Sequence, residues 1–188
     1  GSFAVQGLLM ALAIAGMFAG SVVAIYQTNI KRLMAYSSVA QIGYIMLGVS
    51  FGTVTGLAGG IIHLFNHALT KGGIFLALGC IAYRLGSVRI DDMAGIGRKM
   101  PATMLALVIG GLSLIGVPLT AGFISKWYLI RAALESGLWP IAVLVLLSSL
   151  LAVVYVWRIV ETAYFRQPSR IVEEMTPPPL SLLIPTWI

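Results

Sequence analysis

The 188-residue chain is 59% hydrophobic and only 10% charged, with a mean hydropathy of +0.98 and a formal net charge of +6. A soluble domain carries roughly 25% charged residues and shows much of its surface to water, so a soluble enzyme, a disordered chain and a collagen-like one are excluded. The single cysteine, Cys80, excludes a disulfide scaffold, a zinc cluster and an iron–sulfur site built from this chain alone. A polytopic membrane protein remains, its basic surplus reporting loop topology rather than nucleic-acid binding.

Charge-free stretches mark spans, since roughly 20 apolar residues cross the hydrocarbon core. The first 30 residues carry no charge and predict a span over 3–26, without the charged leader or small-residue cleavage site of a signal peptide. Lys31-Arg32 leads into a second span over 33–50, and the Phe51-Gly52-Thr53 turn into a third over 54–83. The most polar loop, Arg84 to Met100, holds four basic residues and Asp91-Asp92. Pro101 then opens a fourth apolar stretch in the first-turn position that proline tolerates.

Segment 101–134 would be ~51 Å long as one straight helix, too long for a hydrocarbon core of ~30 Å. It also contains Gly116-Val117-Pro118-Leu119-Thr120-Ala121-Gly122, a poor sequence for continuous helix. Two full spans or one discontinuous span fit its length. The positive-inside rule selects the discontinuous one, because the basic loops at 31–32, 84–99 and 166–170 then share one side.

Trp139-Pro140 opens the last clear span, over 139–158. The expected fold is an all-α polytopic transmembrane bundle over 1–166, of about five spans including one discontinuous helix. Residues 167–188 read as a polar, Pro-rich linker through Pro177-Pro178-Pro179 into a further helix that is cut short. With Gly1-Ser2 opening almost inside a span and no initiating methionine, the chain reads as a piece of a larger membrane protein.

Ionisable residues inside spans are expensive and normally mark an ion or proton path. His63, His67 and Lys71 recur every four residues and share one helix face. Asn66 and Thr70 lie beside them, making a continuous polar stripe. Lys71 is the eighteenth residue of its 30-residue segment, near mid-membrane. Such groups can pass protons along the helix. The plainer reading is hydrogen bonding between helices. A zinc site through histidines at i, i+4 is disfavoured, since lysine is a poor third ligand and no carboxylate is near in sequence.

Lys126, in Gly122-Phe123-Ile124-Ser125-Lys126, follows the helix break and falls near mid-membrane. Broken helices put free backbone groups at the depth where transported ions bind. The alternative is a lysine that snorkels to an interface. Lys31 and Arg32 read as topology anchors, although Lys31 could reach an ion path. Tyr36, Ser37, Ser38 and Gln41 form a polar patch that suits water-assisted proton hopping or helix packing, with Ser38 and Ser125 the supporting hydroxyls. Arg158 and Glu161 stand three residues apart and are expected to pair. The paired glycines at 59–60, 72–73 and 110–111 suit close helix packing. No phosphate loop, nucleophile–base pair or cofactor fingerprint is present.

Three stretches, Thr28 to Gly48 (TNIKRLMAYSSVAQIGYIMLG), His63 to Phe75 (HLFNHALTKGGIF) and Gly116 to Tyr128 (GVPLTAGFISKWY), resemble the antiporter-like membrane subunits. Mrp-type Na⁺/H⁺ antiporters, respiratory complex I and the membrane-bound hydrogenases share these subunits. The loop DDMAGIGRKMP also looks like the family, and the likeness covers about residues 20–166. GFISKW and the lysine stretch look most like the D-type member of the Mrp antiporters.

The resemblance implies two inverted repeats, each with a broken helix, of which this chain would be the second. His67 and Lys71 then fall on the central relay, His63 a turn earlier, and Lys126 on the broken-helix lysine that exchanges protons with one side. The earlier glutamate–lysine pair of the family has no counterpart here. The expected function is proton, or Na⁺/H⁺, translocation within a multisubunit complex, with any redox chemistry in other subunits and no cofactor on this chain. The alternative is a structural membrane subunit of an NADH–quinone oxidoreductase or hydrogenase with no path of its own. Expected partners are other membrane subunits, the N-terminal half of the same subunit, H⁺ and Na⁺, and the bilayer of a prokaryotic plasma membrane.

Overall fold

In the computed structural model, which describes residues 2–175 and 184–187, the described residues are mostly helical. The helices are α1 (Ser2–Ile25), α2 (Ile30–Ser50), α3 (Val54–Leu85), a short α4 (Ile96–Lys99), α5 (Pro101–Ile115), α6 (Ala121–Glu135), α7 (Trp139–Phe165) and a short α8 (Arg170–Glu173). Pro177-Pro178-Pro179 and most of the expected further helix lie outside the described residues.

Helix boundaries differ from the sequence expectation where a polar group finds a partner. The second span starts at Ile30 rather than 33, because the Asn29 side chain accepts the Lys31 and Arg32 amides at 2.9 and 3.2 Å. Both basic residues thus sit in the first turn of α2. The third ends at Leu85, where Gly86 takes a left-handed conformation (φ 66°). The last span does not stop at 158 but continues to Phe165. Arg158 is accommodated because its Nη1 donates to the carbonyls of Ile25 (2.9 Å) and Gln27 (2.8 Å) at the end of α1. Its expected pairing with Glu161 is therefore replaced, and Glu161 lies 3.6 Å from Arg166 instead.

The connections segregate to two ends. At one end the Ile30 amide donates to Val88 O, Ile90 to Thr28 O, and Ser169 to Ala94 O. Lys31, Arg32, Arg84, Arg89, Arg98, Lys99, Arg166 and Arg170 belong to this end. At the other end Gln6 of α1 lies against Gly52, and the only basic residue among those described, Arg131, is closed onto Glu135 at 2.6 Å. This asymmetry is the one that the positive-inside rule anticipates.

α5 starts at the basic end and α6 finishes at the other. Each has 15 residues, ~22 Å of helix, too short to cross a ~30 Å core alone. α3 shows how they combine. Gly59 packs on Tyr128 and Leu129, His63 on Ser125, Asn66 on Ala121, Thr70 on Ser113 and Ile74 on Gly110. Ascending α3 therefore means descending α6 and then α5, so the half-helices lie end to end as one discontinuous crossing. With α1, α2, α3 and α7 the described residues make five crossings, and the protein is an integral multi-pass membrane protein.

The apolar interior falls into two clusters. One, toward the basic end, gathers Leu33, Leu78, Ile81, Met104, Leu107, Tyr155 and Ile159. The other gathers Met17, Tyr44, Leu47, Leu129, Ala133 and Val145. Lys126 touches both clusters, through the Leu114 carbonyl of the first and the Tyr44 ring of the second.

Candidate functional site

The stripe on α3 is buried inward. His63 is 3% and Lys71 6% exposed, while His67 is half-buried. His63 uses both ring nitrogens: Nδ1 lies 2.8 Å from Ser125 Oγ on α6, and Nε2 lies 2.9 Å from Gln41 Oε1 on α2. One imidazole thus ties three helices. His67, a turn later, has its Nδ1 buried without a hydrogen-bond partner among the described residues. Lys71 Nζ donates to the Met34 carbonyl at 2.6 Å and to the Ser37 hydroxyl.

Lys126 lies at the break itself and is 4% exposed. α5 ends at Gly116, whose φ of 86° is open to glycine. The Gly116 and Val117 amides close the Leu112 and Ser113 carbonyls. The next two, of Leu114 and Ile115, accept from Lys126 Nζ, each at 2.9 Å. Lys126 therefore caps the negative end of the α5 dipole with its own charge. A third bond goes to Ser149 Oγ on α7 at 2.9 Å. Snorkelling is ruled out by this geometry.

Close contact between the halves depends on Gly122, where a Cβ would lie 1.8 Å from the Ser113 carbonyl oxygen. The Gly122 amide donates to Ser113 Oγ at 3.2 Å. Asn66 Nδ2 donates to Ala121 O at 2.7 Å, and Thr70 Oγ1 lies 3.3 Å from Ser113 Oγ. The two polar neighbours of the stripe thus hold α3 against the break. Leu119, fully exposed, has a φ of 76°, a costly conformation for a non-glycine residue.

Lys31 is exposed at the start of α2, apart from this cluster. Ser38 is half-buried and donates to Met34 O at 3.1 Å, sharing that acceptor with Lys71. The hydroxyl that meets Lys71 is its neighbour Ser37. Four residues escaped the sequence reading as site candidates: Tyr44, Ser148, Ser149 and Tyr155. The Tyr44 hydroxyl lies 3.3 Å from Ser149 Oγ, and its ring packs on His63 with centroids 5.3 Å apart. A signal existed, since Ser37, Gln41 and Tyr44 share a face of α2, as Ser148 and Tyr155 share one of α7.

A multi-pass helical bundle with a discontinuous helix at mid-depth, and a buried lysine at its break, is the class of fold seen in membrane transporters with broken helices. The chain belongs to the family described as NADH:quinone oxidoreductase/Mrp antiporter, transmembrane, which it matches over residues 2–152. It is 44% identical over 189 residues to the NADH-quinone oxidoreductase subunit N of Desulforudis audaxviator, covering 94% of this chain and 38% of that protein. A chain of the archaeal membrane-bound sulfane sulfur reductase superposes with a TM-score of 0.90 at 35% identity, covering 96% of this chain and 30% of its own. A chain of the Mrp complex from Dietzia sp. superposes with a TM-score of 0.88 at 26% identity, over 96% and 42% respectively. The chain spans less than two-fifths of the curated relative's length. That relative's name, subunit N, does not match the narrower likeness to the D-type member of the Mrp antiporters.

Proposed function

We propose that this chain forms one half of a proton path through an antiporter-like subunit, with Lys71, His67 and His63 relaying protons to and from Lys126. The observation that carries this reading is a pair of buried lysines, 6% and 4% exposed, with no carboxylate beside either among the described residues. Uncompensated cations at membrane depth cost several kcal/mol, a cost that packing alone does not require. The ion is H⁺ rather than Na⁺. Hard cations take oxygen ligands, above all carboxylates, and all six acidic residues, Asp91, Asp92, Glu135, Glu161, Glu173 and Glu174, lie outside the polar layer. Na⁺ exchange, if the complex performs it, belongs elsewhere.

The host is a respiratory-type complex of a prokaryotic plasma membrane, with other membrane subunits and the rest of this subunit as partners. The likenesses of 44% and 40% to two bacterial subunits N support that assignment. Proton flux into vesicles containing the complete complex, with Lys126→Ala in the full-length subunit, tests the path. Loss of flux is expected, and undiminished flux overturns it. The alternative is the structural subunit, favoured by the two bonds with which His63 ties α3 to α2 and α6, and it predicts the undiminished result together with a lower melting temperature.

A further inference from the structure

Two arginines at the basic end face a common space. Arg84, in the last turn of α3, and Arg170, which opens α8, line one cleft of about 520 Å³ with Ile171, Glu174 and Met175. Among the described residues neither guanidinium closes an ion pair, and Glu174 pairs with neither of them. The Nε of Arg84 is buried with no hydrogen-bond partner among those residues, a costly state for a donor. Its charge lies 5.6 Å from the centroid of the Tyr83 ring, a contact that takes up none of its five donors. The wall that carries Arg170 is fixed in place. Val172 is wholly buried, Ser169 Oγ donates to Asp92 O at 3.1 Å, and Lys99 Nζ donates to Glu173 O at 3.0 Å.

The depth of Arg84 decides which anion it can meet. The middle of α3, Leu69-Thr70, stands beside the break, where Thr70 Oγ1 lies 3.3 Å from Ser113 Oγ. From Thr70 to Arg84 the helix rises ~21 Å. A bilayer with its headgroups is ~40–45 Å thick, so Arg84 reaches the phosphate layer, just beyond the hydrocarbon. Deeper along α3, Leu76 and Tyr83 are 45% and 66% exposed, and a Cβ at Gly79 would meet nothing within 4 Å. We propose that Arg84 and Arg170 bind the phosphate of an anionic phospholipid, whose acyl chains run along Leu76 and Tyr83. The positive-inside rule puts this end on the cytoplasmic side, where anionic lipids attract basic groups beside membrane spans. Two guanidinium forks suit a phosphodiester, since each can serve two oxygens at once. Two arginines against one carboxylate leave the cleft positive, which favours a headgroup with net negative charge over a zwitterionic one.

Photocrosslinking tests this in the complete complex with the full-length subunit, in vesicles of equimolar phosphatidylglycerol and phosphatidylethanolamine. Either lipid is supplied with a photoreactive acyl chain. Crosslinks mapped to residues 76–84 are expected to favour phosphatidylglycerol by about tenfold. Arg84→Gln combined with Arg170→Gln should bring the two lipids level. Arg170→Gln alone, at an exposed position, should lower the preference by about threefold, and Glu174→Gln should raise it. Arg89→Gln, at an exposed arginine of the same end outside the cleft, should leave it within about twofold. Equal crosslinking of the two lipids by the unmodified complex overturns the site. So does a loss in Arg89→Gln as large as in the double variant, because diffuse attraction to the membrane surface would then suffice. Inorganic phosphate that abolishes the preference at the ionic strength of a chloride control, which does not, overturns the lipid in favour of a free anion. Proton flux enters none of these readouts, so the outcome is independent of the proton path.

Discussion

The Lys126 ammonium rests 4.5 Å from the centroid of the Tyr44 ring. The same ring is tilted against the imidazole of His63, so one aromatic side chain touches both the break lysine and the nearest histidine. A cation over a desolvated ring gains about 2 kcal/mol. Tyr44→Phe preserves both ring contacts, and we expect it to shift stability by less than about 1 kcal/mol. Tyr44→Leu removes the cation–π contact and leaves a cavity, and we expect a loss of about 3–5 kcal/mol. Thermal unfolding of the purified protein in detergent measures both. Equal losses would show that the hydroxyl, and not the ring, carries the contribution.

Lys126 serves α5 as much as any ion. In Lys126→Met the Leu114 and Ile115 carbonyls lose their donor while staying buried, at about 1–3 kcal/mol for each. The expected signature is a lower melting temperature together with faster deuterium uptake across residues 112–118. Uptake unchanged in that stretch would mean that the carbonyls are served by something other than the lysine.

The break tolerates no side chain at Gly122. In Gly122→Ala the new methyl would meet the Ser113 carbonyl at 1.8 Å, so the halves must separate. Overpacking of this kind costs about 1–3 kcal/mol or more. We expect the variant to lose the hydrogen bond from the Gly122 amide to Ser113 Oγ, visible as faster exchange of that amide. Protection equal to that of the unmodified protein would contradict the tight contact.

Arg158 predicts a contrast between two substitutions. Arg158→Met frees the Ile25 and Gln27 carbonyls and should fray the end of α1, with charge-assisted bonds of about 1.5–3 kcal/mol at stake. Glu161→Gln, which leaves those bonds intact, should not change exchange at residues 24–28. Matching effects from both would restore the pairing that their spacing suggested.

How much of this was legible in the sequence depends on the physics of each element. The stripe of His63, His67 and Lys71 was readable because a period of four survives any rotation of the helix. The break was readable because Gly116, Pro118 and Gly122 spoil continuous hydrogen bonding and because charge fixed the side on which each loop lies. Ser37 against Ser38 was not readable, since adjacent residues point about 100° apart and only the seating of α2 against α3 decides which one meets Lys71. Tyr44 and Tyr155 were missed for another reason. A tyrosine in a span buries a large apolar body, and nothing in the sequence separates a tyrosine that only packs from one whose ring lies under a lysine, as Tyr44 does. Arg158 misled because its partners are backbone carbonyls of a helix more than 100 residues earlier, which carry no sequence signature.

The unbroken α3, laid along both halves of the interrupted crossing, works as a ruler. Its marks are His63, Asn66 and Thr70, and they read against Ser125, Ala121 and Ser113. A step of one residue along a helix is about 1.5 Å and 100°, and it would set apolar Leu64 or Leu69 where a polar mark is needed. Apart from Gly116 and Gly122, the segment between Ser113 and Ser125 is therefore constrained more in its length than in its lettering. Exchanges at Val117 or Leu119 leave the alignment intact, whereas one residue added or removed there puts the two scales out of step.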